Sequence, residues 1–231
     1  MRVVHLSWEY PPLVHGGLGR HVAALTEQQR RQGMDVVLLT CRDDVTGAAT
    51  ALTPADQHVE RAGGVGSLTV RRTGLGGPWT DVVADARRWQ RDVVASALPL
   101  AESAQVLHAH DWMVAEATER LARASGTPWV LTVHATEHGR RHGRLDQPVH
   151  HAVHQAERRA VAQADRVIVC SLAMRDEVVD VLGAQPASVL VVPGGVDADA
   201  WAPSRHAVGR AGARWRRGGP LVVAAGRLEW E

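Results

Sequence analysis

Residues 105–133 read QVLHAHDWMVAEATERLARASGTPWVLTV, and this stretch decides the fold. Gln105 to Ala109 is a short apolar run with strand character. Trp112 to Ser125 repeats apolar residues at helical spacing, and Gly126 supplies the stop. Trp129 to Val133 is a second short apolar run. Strand, helix and strand in one short span is the repeating unit of an α/β sheet.

The same alternation extends in both directions. On the N-terminal side, Val3 to Ser7 reads as a strand, Leu18 to Gln32 as a helix stopped by Gly33, and Asp35 to Thr40 as a strand. Cys41 to about Gly77 is irregular, with one strand expected at Ser67 to Arg72. Trp79 to Ser103 is helical in pattern, with Pro99 expected to disturb its end. On the C-terminal side follow a helix at Pro148 to Gln163, a strand at Arg166 to Cys170, a helix at Ala173 to Leu182 and a strand at Ser188 to Val192. Runs such as Val36-Val-Leu-Leu39 and Val167-Ile-Val169 are apolar throughout, as strands covered on both faces require. The expectation is an α/β, Rossmann-like parallel sheet with helices on both faces, occupying residues 1–195. Residues 196–219 read as a Gly/Arg/Pro-rich connector with Trp201 and Trp215 as candidate anchors. Residues 220–231, opening on Leu221-Val-Val-Ala-Ala225, read as the first strand of a second domain.

Composition sets the broad class. The 231 residues carry a formal net charge of +1, with 45% hydrophobic and 22% charged residues. That composition supports a packed core and excludes a disordered tail or a disulfide-stapled miniprotein. The near-neutral balance gives no electrostatic footprint for nucleic acid. Lys, Asn and Phe are absent, whereas Ala, Gly, Arg and Val abound, a pattern of GC-rich codons. Cys41 and Cys170 match no metal or redox spacing and read as free, buried thiols in a reducing cytosol. The chain opens directly on a strand-like run, and no apolar run is long enough to span a bilayer, so the expected location is the cytoplasm, with peripheral membrane contact left open.

Ligands of open parallel sheets sit outside the carboxyl ends of the strands, so the residues just after each strand are the candidates. After the first strand, Gly16-Gly17 lead into a helix, an arrangement that lets backbone N–H groups approach an anion. A dinucleotide fingerprint fits badly, because Val22 stands where the third glycine belongs and the loop is long. His110, Asp111 and Trp112 fall at the end of the central strand, and His108-Ala-His110 has a metal-ligand spacing, since alternate strand residues share a face. A metal-dependent hydrolase, a substrate-binding histidine and a hydrogen-bonded structural histidine are all compatible with it. His134 and Glu137 end the next strand. His138, His142, His150, His151 and His154 follow, and Gly139 and Gly143 favour a solvated loop for these later histidines. A Walker A loop and a nucleophile elbow are both absent from the sequence.

Ser7-Trp-Glu-Tyr-Pro-Pro12 with Gly16-Gly-Leu-Gly19, His108-Ala-His-Asp-Trp112, Thr132-Val-His-Ala-Thr136, Val192-Pro-Gly-Gly-Val-Asp197 and Ala225-Gly-Arg-Leu-Glu229 together resemble glycosyltransferase family 4, retaining enzymes of the GT-B fold. Among these, the sequence is most similar to actinobacterial α-glucosyltransferases of the glycogen-synthase and methylglucose-lipopolysaccharide type. The resemblance implies two Rossmann-like domains facing a cleft, the first holding mainly the acceptor and the second the nucleotide sugar. It implies that Gly16 and Gly17 approach the donor, that His110 bonds the transferred sugar while Asp111 orients the site, and that His134 lines the catalytic centre. Arg227 would neutralise the diphosphate leaving group, and Glu9, Tyr10, Trp112 and Glu137 would face the acceptor. No metal or other cofactor is implied, because Arg and helix N-termini do the metal's work. The partners implied are a nucleotide sugar and a glucan or glycolipid acceptor.

Two departures stand out. Val14 occupies the place of a Lys found in starch-type glycogen synthases, which sets the chain apart from that subgroup. The family pattern after Gly-Arg-Leu runs on through Glu-Lys-Gly, whereas this sequence stops at Glu231, so the expectation is a fragment inactive on its own. A non-catalytic carbohydrate-binding fragment is the further alternative to the hydrolase.

Overall fold

The computed structural model describes residues 1–12, 14, 16–41, 58–62, 64–75, 80–198 and 201–202. The chain divides into two units, Met1–Pro193 and Gly194–Glu231. The expected strand at 220–231 and most of the connector fall outside the described residues.

In chain order the first unit contains β1 (Arg2–Ser7), α1 (Gly17–Arg31), β2 (Asp35–Cys41), β3 (His58–Ala62), β4 (Ser67–Thr73), α2 (Val82–Glu102) and β5 (Val106–His110). There follow α3 (Trp112–Ser125), β6 (Trp129–Val133), α4 (Glu137–Arg140), α5 (Pro148–Gln163), β7 (Arg166–Val169), α6 (Leu172–Asp180) and β8 (Val189–Val191). The eight strands form one sheet in the order β3-β4-β2-β1-β5-β6-β7-β8. Every pairing is parallel except β3 with β4, which is antiparallel and closes one edge.

Of the two continuous apolar runs, β2 is buried on both faces, as expected, whereas β7 buries Val167 and Val169 but leaves Ile168 half-buried. In β2, Val37 and Leu39 join one core, while Val36 and Leu38 join the other. The first core lies under α2, α3 and α5; the second lies under α1, where Leu18 and Val22 pack on Leu68 and Val70. Helix α1 is amphipathic and buries its apolar stripe on the sheet, which is where such a helix gains its stability. Helix α3 ends at Gly126, whose φ of 72° is the left-handed geometry that favours glycine.

Several expectations are corrected. Cys41 is buried as expected, but Cys170 is exposed. Pro99 lies inside α2, and the helix runs on to Glu102, one residue short of the expected end at Ser103. Its start is set by Asp81, whose carboxylate accepts the N–H groups of Val83 and Ala84. The irregular stretch after Cys41 contains a second strand, β3, so the sheet is not purely parallel. Glu137–Arg140 form a helical turn despite Gly139, because Thr136 Oγ1 accepts the Gly139 N–H at 2.8 Å. His150 is buried in α5 and is not part of a solvated loop, whereas His142 and His151 are exposed. Among the described residues, no helix is long and apolar enough to cross a membrane.

Candidate functional site

Strand order reverses at β1. The chain goes from β1 through α1 to β2 on one side, and later places β5 on the other. In open parallel sheets this reversal opens a crevice at the carboxyl ends of the two strands. Trp8 to Pro12, Val14 and Gly16 on one side and the residues after His110 on the other flank it.

β1 and β5 align His5 with His108 and Ser7 with His110. All four point to the α1 side, because Val4, Leu6, Leu107 and Ala109 take the opposite face. The sheet thus carries a column of imidazoles where packing alone would place apolar side chains. The His108 and His110 rings stack with centroids 4.3 Å apart, and the His5 ring lies 4.8 Å from His108 and 5.3 Å from His110. A buried polar group is tolerated only when its hydrogen bonds are made. Here they are: His108 Nε2 meets Thr132 Oγ1 at 2.7 Å, His5 Nδ1 meets His110 Nε2 at 3.0 Å, and His5 Nε2 meets Gln29 Oε1 of α1 at 2.8 Å.

His110 Nδ1 faces His134 Nε2 at 3.3 Å, which carries the column outward to the end of β6. The His21 ring, from the first turns of α1, stands edge-on to His134 at 4.7 Å. Burial, reinforced by the neighbouring imidazoles, holds His108 and His110 well below the ordinary histidine range. Burial lowers His5 to about 4, and burial with the nearby Arg140 charge lowers His134 to about 4. The cluster is therefore neutral at pH 7.

Asp111 is buried and has φ 63° and ψ 174°, a costly backbone conformation for a residue with a side chain. Its carboxylate accepts the His134 N–H at 2.7 Å, so the strained turn joins the end of β5 to the start of the loop after β6. Burial raises its pKa to about 6, against the pull of that N–H and of Arg140.

The loop after β1 forms the other wall. Glu9 accepts the Gly16 N–H at 3.2 Å and so tethers the entry of α1. A Cβ at Gly16 or Gly17 would meet nothing within 4 Å among the described residues, so neither glycine is demanded by packing. Gly19 is: a Cβ there would lie 3.2 Å from Glu9 Cβ and from Val14 Cγ2. Tyr10 is half-buried, and the Arg72 guanidinium lies 5.5 Å over its ring.

The structure thus brings His110, Asp111 and His134 together, with Gly16, Gly17 and Glu9 on the loop at the β1 edge. Trp112 is buried in the core on the α3 side, where it lines a cavity of about 260 Å³ with Gln90, Glu119 and Arg159. Glu137 is also buried. Its carboxylate takes Arg141 Nε at 3.1 Å, and its N–H donates to Glu157 Oε1 at 2.8 Å. Both therefore expose little surface to a ligand. Arg227 lies outside the described residues.

His5, His21 and Gln29 were not singled out from the sequence. A signal existed for His5, since a histidine inside a doubly covered strand must find a partner. Two overlapping groups, His5/His108/His110 and His21/His110/His134, hold their nitrogens within 4.8 Å of one another and are the described residues with the means to hold a metal ion.

Residues 15–200 match the family described as Glycosyltransferase Family 4. The chain is 33% identical over 253 aligned positions to the glycogen synthase of Mycobacterium tuberculosis, covering 100% of this chain and 55% of that protein. It is 30% identical to the alpha-maltose-1-phosphate synthase of Mycolicibacterium smegmatis, covering 99% and 54%. The chain therefore spans about half the length of the curated relatives it matches. Among solved structures, it is similar to sucrose-phosphate synthase from Thermosynechococcus elongatus, with a TM-score of 0.68 at 17% identity, covering 91% of this chain and 52% of that one. That likeness shows a shared fold, a Rossmann-like domain of the GT-B kind.

Proposed function

The chain belongs to glycosyltransferase family 4, and from that premise we propose that it is the acceptor-side part of a retaining α-glucosyltransferase of the glycogen-synthase type. The enzyme transfers glucose from a nucleotide sugar to a glucan or glycolipid acceptor in the cytoplasm, without a metal. The observation that carries this reading is the junction of His110, Asp111 and His134 at the strand-order reversal, with an open glycine entry to α1 on the same edge.

His110 and His134 supply neutral, oriented hydrogen-bonding groups for the transferred sugar. Asp111 holds the backbone that carries His134. The positive end of α1 at Gly17 favours the donor phosphates, and Gly16, whose N–H is held by Glu9, shapes the approach to it. Arg227 neutralises the departing diphosphate, whose negative charge grows in the transition state. Residues 1–195 form the acceptor-side domain, 196–219 the connector and 220–231 the start of the nucleotide-sugar domain.

The test is transfer of labelled glucose from UDP-, ADP- and GDP-glucose to glycogen. The 231 residues alone are expected to give no product. Joined to a nucleotide-binding second domain, they are expected to give α-linked product that His110→Ala abolishes. Turnover by the chain alone would contradict the division of labour, and β-linked product would contradict retention. The grouping of His21, His110 and His134 supports a second reading, a metal-dependent hydrolase. Stoichiometric zinc that is lost in His110→Ala would favour it.

A further inference from the structure

A neutral imidazole has one N–H donor and one bare acceptor nitrogen, so a row of imidazoles joined nitrogen to nitrogen must all point their protons the same way. Such a row exists here: Gln29 Oε1, His5 Nε2, then His5 Nδ1, His110 Nε2, then His110 Nδ1, His134 Nε2. An amide oxygen can only accept. His5 must therefore carry its proton on Nε2, which leaves Nδ1 bare. His110 must then donate from Nε2 to His5, which leaves its own Nδ1 bare. His134 donates from Nε2 to His110, and its Nδ1 remains as an acceptor.

We propose that Gln29 is a positioning residue: its side-chain oxygen sets the proton order of the histidine row and leaves His134 with a bare Nδ1 that accepts a hydroxyl proton and cannot donate one. The burial that keeps these rings neutral supports the scheme, because a doubly protonated member would break the order. Gln29 thereby acts on the cleft through two buried rings without touching its ligand. Only the last step, a sugar hydroxyl at His134, rests on the glycosyltransferase reading; the proton order does not.

The experiment is nitrogen-15 NMR of the imidazoles in the 231-residue chain, which distinguishes protonated from bare ring nitrogens. In the unmodified protein, His5, His110 and His134 are expected as single Nε2–H forms. Gln29→Met, which removes the acceptor, is expected to turn His5 and His110 into mixtures of the two tautomers while the amide spectrum stays dispersed. Gln29→Lys, a donor with nothing to accept, is expected to reverse all three. His5→Leu reaches the same point by another route, freeing His110 from Gln29 with the amide intact. An Nδ1–H form of His110 in the unmodified protein overturns the proposal whatever the variants do. Unchanged tautomers in Gln29→Met or in Gln29→Lys overturn it as well. So does stoichiometric zinc bound to these nitrogens, because a metal-bound nitrogen carries no proton. Failure of glucose transfer by the two-domain enzyme, with the proton order intact, would sink the glucosyltransferase reading alone.

Discussion

β1 and β5 lie side by side at the centre of the sheet, and both of their faces are buried. Toward α3 they present Val4, Leu6, Leu107 and Ala109; toward α1 they present His5, Ser7, His108 and His110. Burial is equal, yet the chemistry is opposite. The apolar face is held by area removed from water and is indifferent to direction. The histidine face is held by hydrogen bonds that must be made in a fixed sequence. A sheet of this kind divides its labour across its own thickness: one side supplies stability, and the other carries orientation toward the crevice.

The largest effect is expected on the apolar face. Leu107 is fully buried, and Leu107→Ala should cost about 3 kcal/mol in urea unfolding. A loss under about 1 kcal/mol would show that the α3 face is not the stabilising one.

A smaller effect with a definite pH signature lies beside the histidines. Burial raises Glu157 to about 8, and its Oε2 has no hydrogen-bond partner among the described residues. A carboxyl with a raised pKa ionises first in the unfolded chain. Its contribution is therefore intact below the ordinary carboxyl value of 4.5 and is lost as pH rises toward 8. Glu157→Gln keeps an oxygen for the Glu137 N–H and removes the charge. At pH 8 it should stabilise the protein by about 1–3 kcal/mol, with the gain vanishing near pH 4. The depressed histidines run the other way. His5 and His134 fall from 6.5 to about 4, so the unfolded state binds protons first and stability falls as pH drops from 6.5 to 4. His5→Leu should flatten that acid limb in denaturation curves taken across the window.

The next effect separates wiring from packing. In a double-mutant cycle of His5→Leu and Gln29→Met, the two changes should couple by about 1 kcal/mol, since each alone strands the other's hydrogen bond. Simple additivity would mean that the pair does not act as a unit. The smallest stability change belongs to the crevice edge. Gly17→Ala meets no neighbour within 4 Å among the described residues, so it should alter stability by under about 0.5 kcal/mol. The same change should still weaken nucleotide-sugar use by the two-domain enzyme.

Most of the sheet could be read from the residues. The limits of α3, β6 and α5 agree with the sequence expectation, because Gly126, Pro128 and Pro148 punctuate strongly periodic segments. β3 was overlooked, although Gly63-Gly-Val-Gly66 between two short runs is a hairpin signal of its own. His110, Asp111 and His134 were legible because strand ends are where a parallel sheet exposes its chemistry. His5 was passed over: a histidine in a doubly covered strand signals that it needs a partner, but which partner shows only once its neighbour in space is known. Gln29 was passed over, although it continues the buried stripe of α1, three residues after Thr26 and seven after Val22. Its partner lies 24 residues earlier, on the sheet, and no periodicity within the helix announces that.

The bond from His5 to His110 spans 105 residues of chain. It cannot form until the first strand, kept waiting through α1, β2, β3, β4 and α2, finally receives its neighbour on the other side. Long-range strand pairing of this kind is the slow part of folding. A nascent chain that stops short of β5 has its first helix and second strand in place, so His5 can meet Gln29 but not His110, the second of its two partners. The imidazole pair is thus a clock as well as a wire, and its appearance in a refolding experiment marks the moment at which the two halves of the sheet become one.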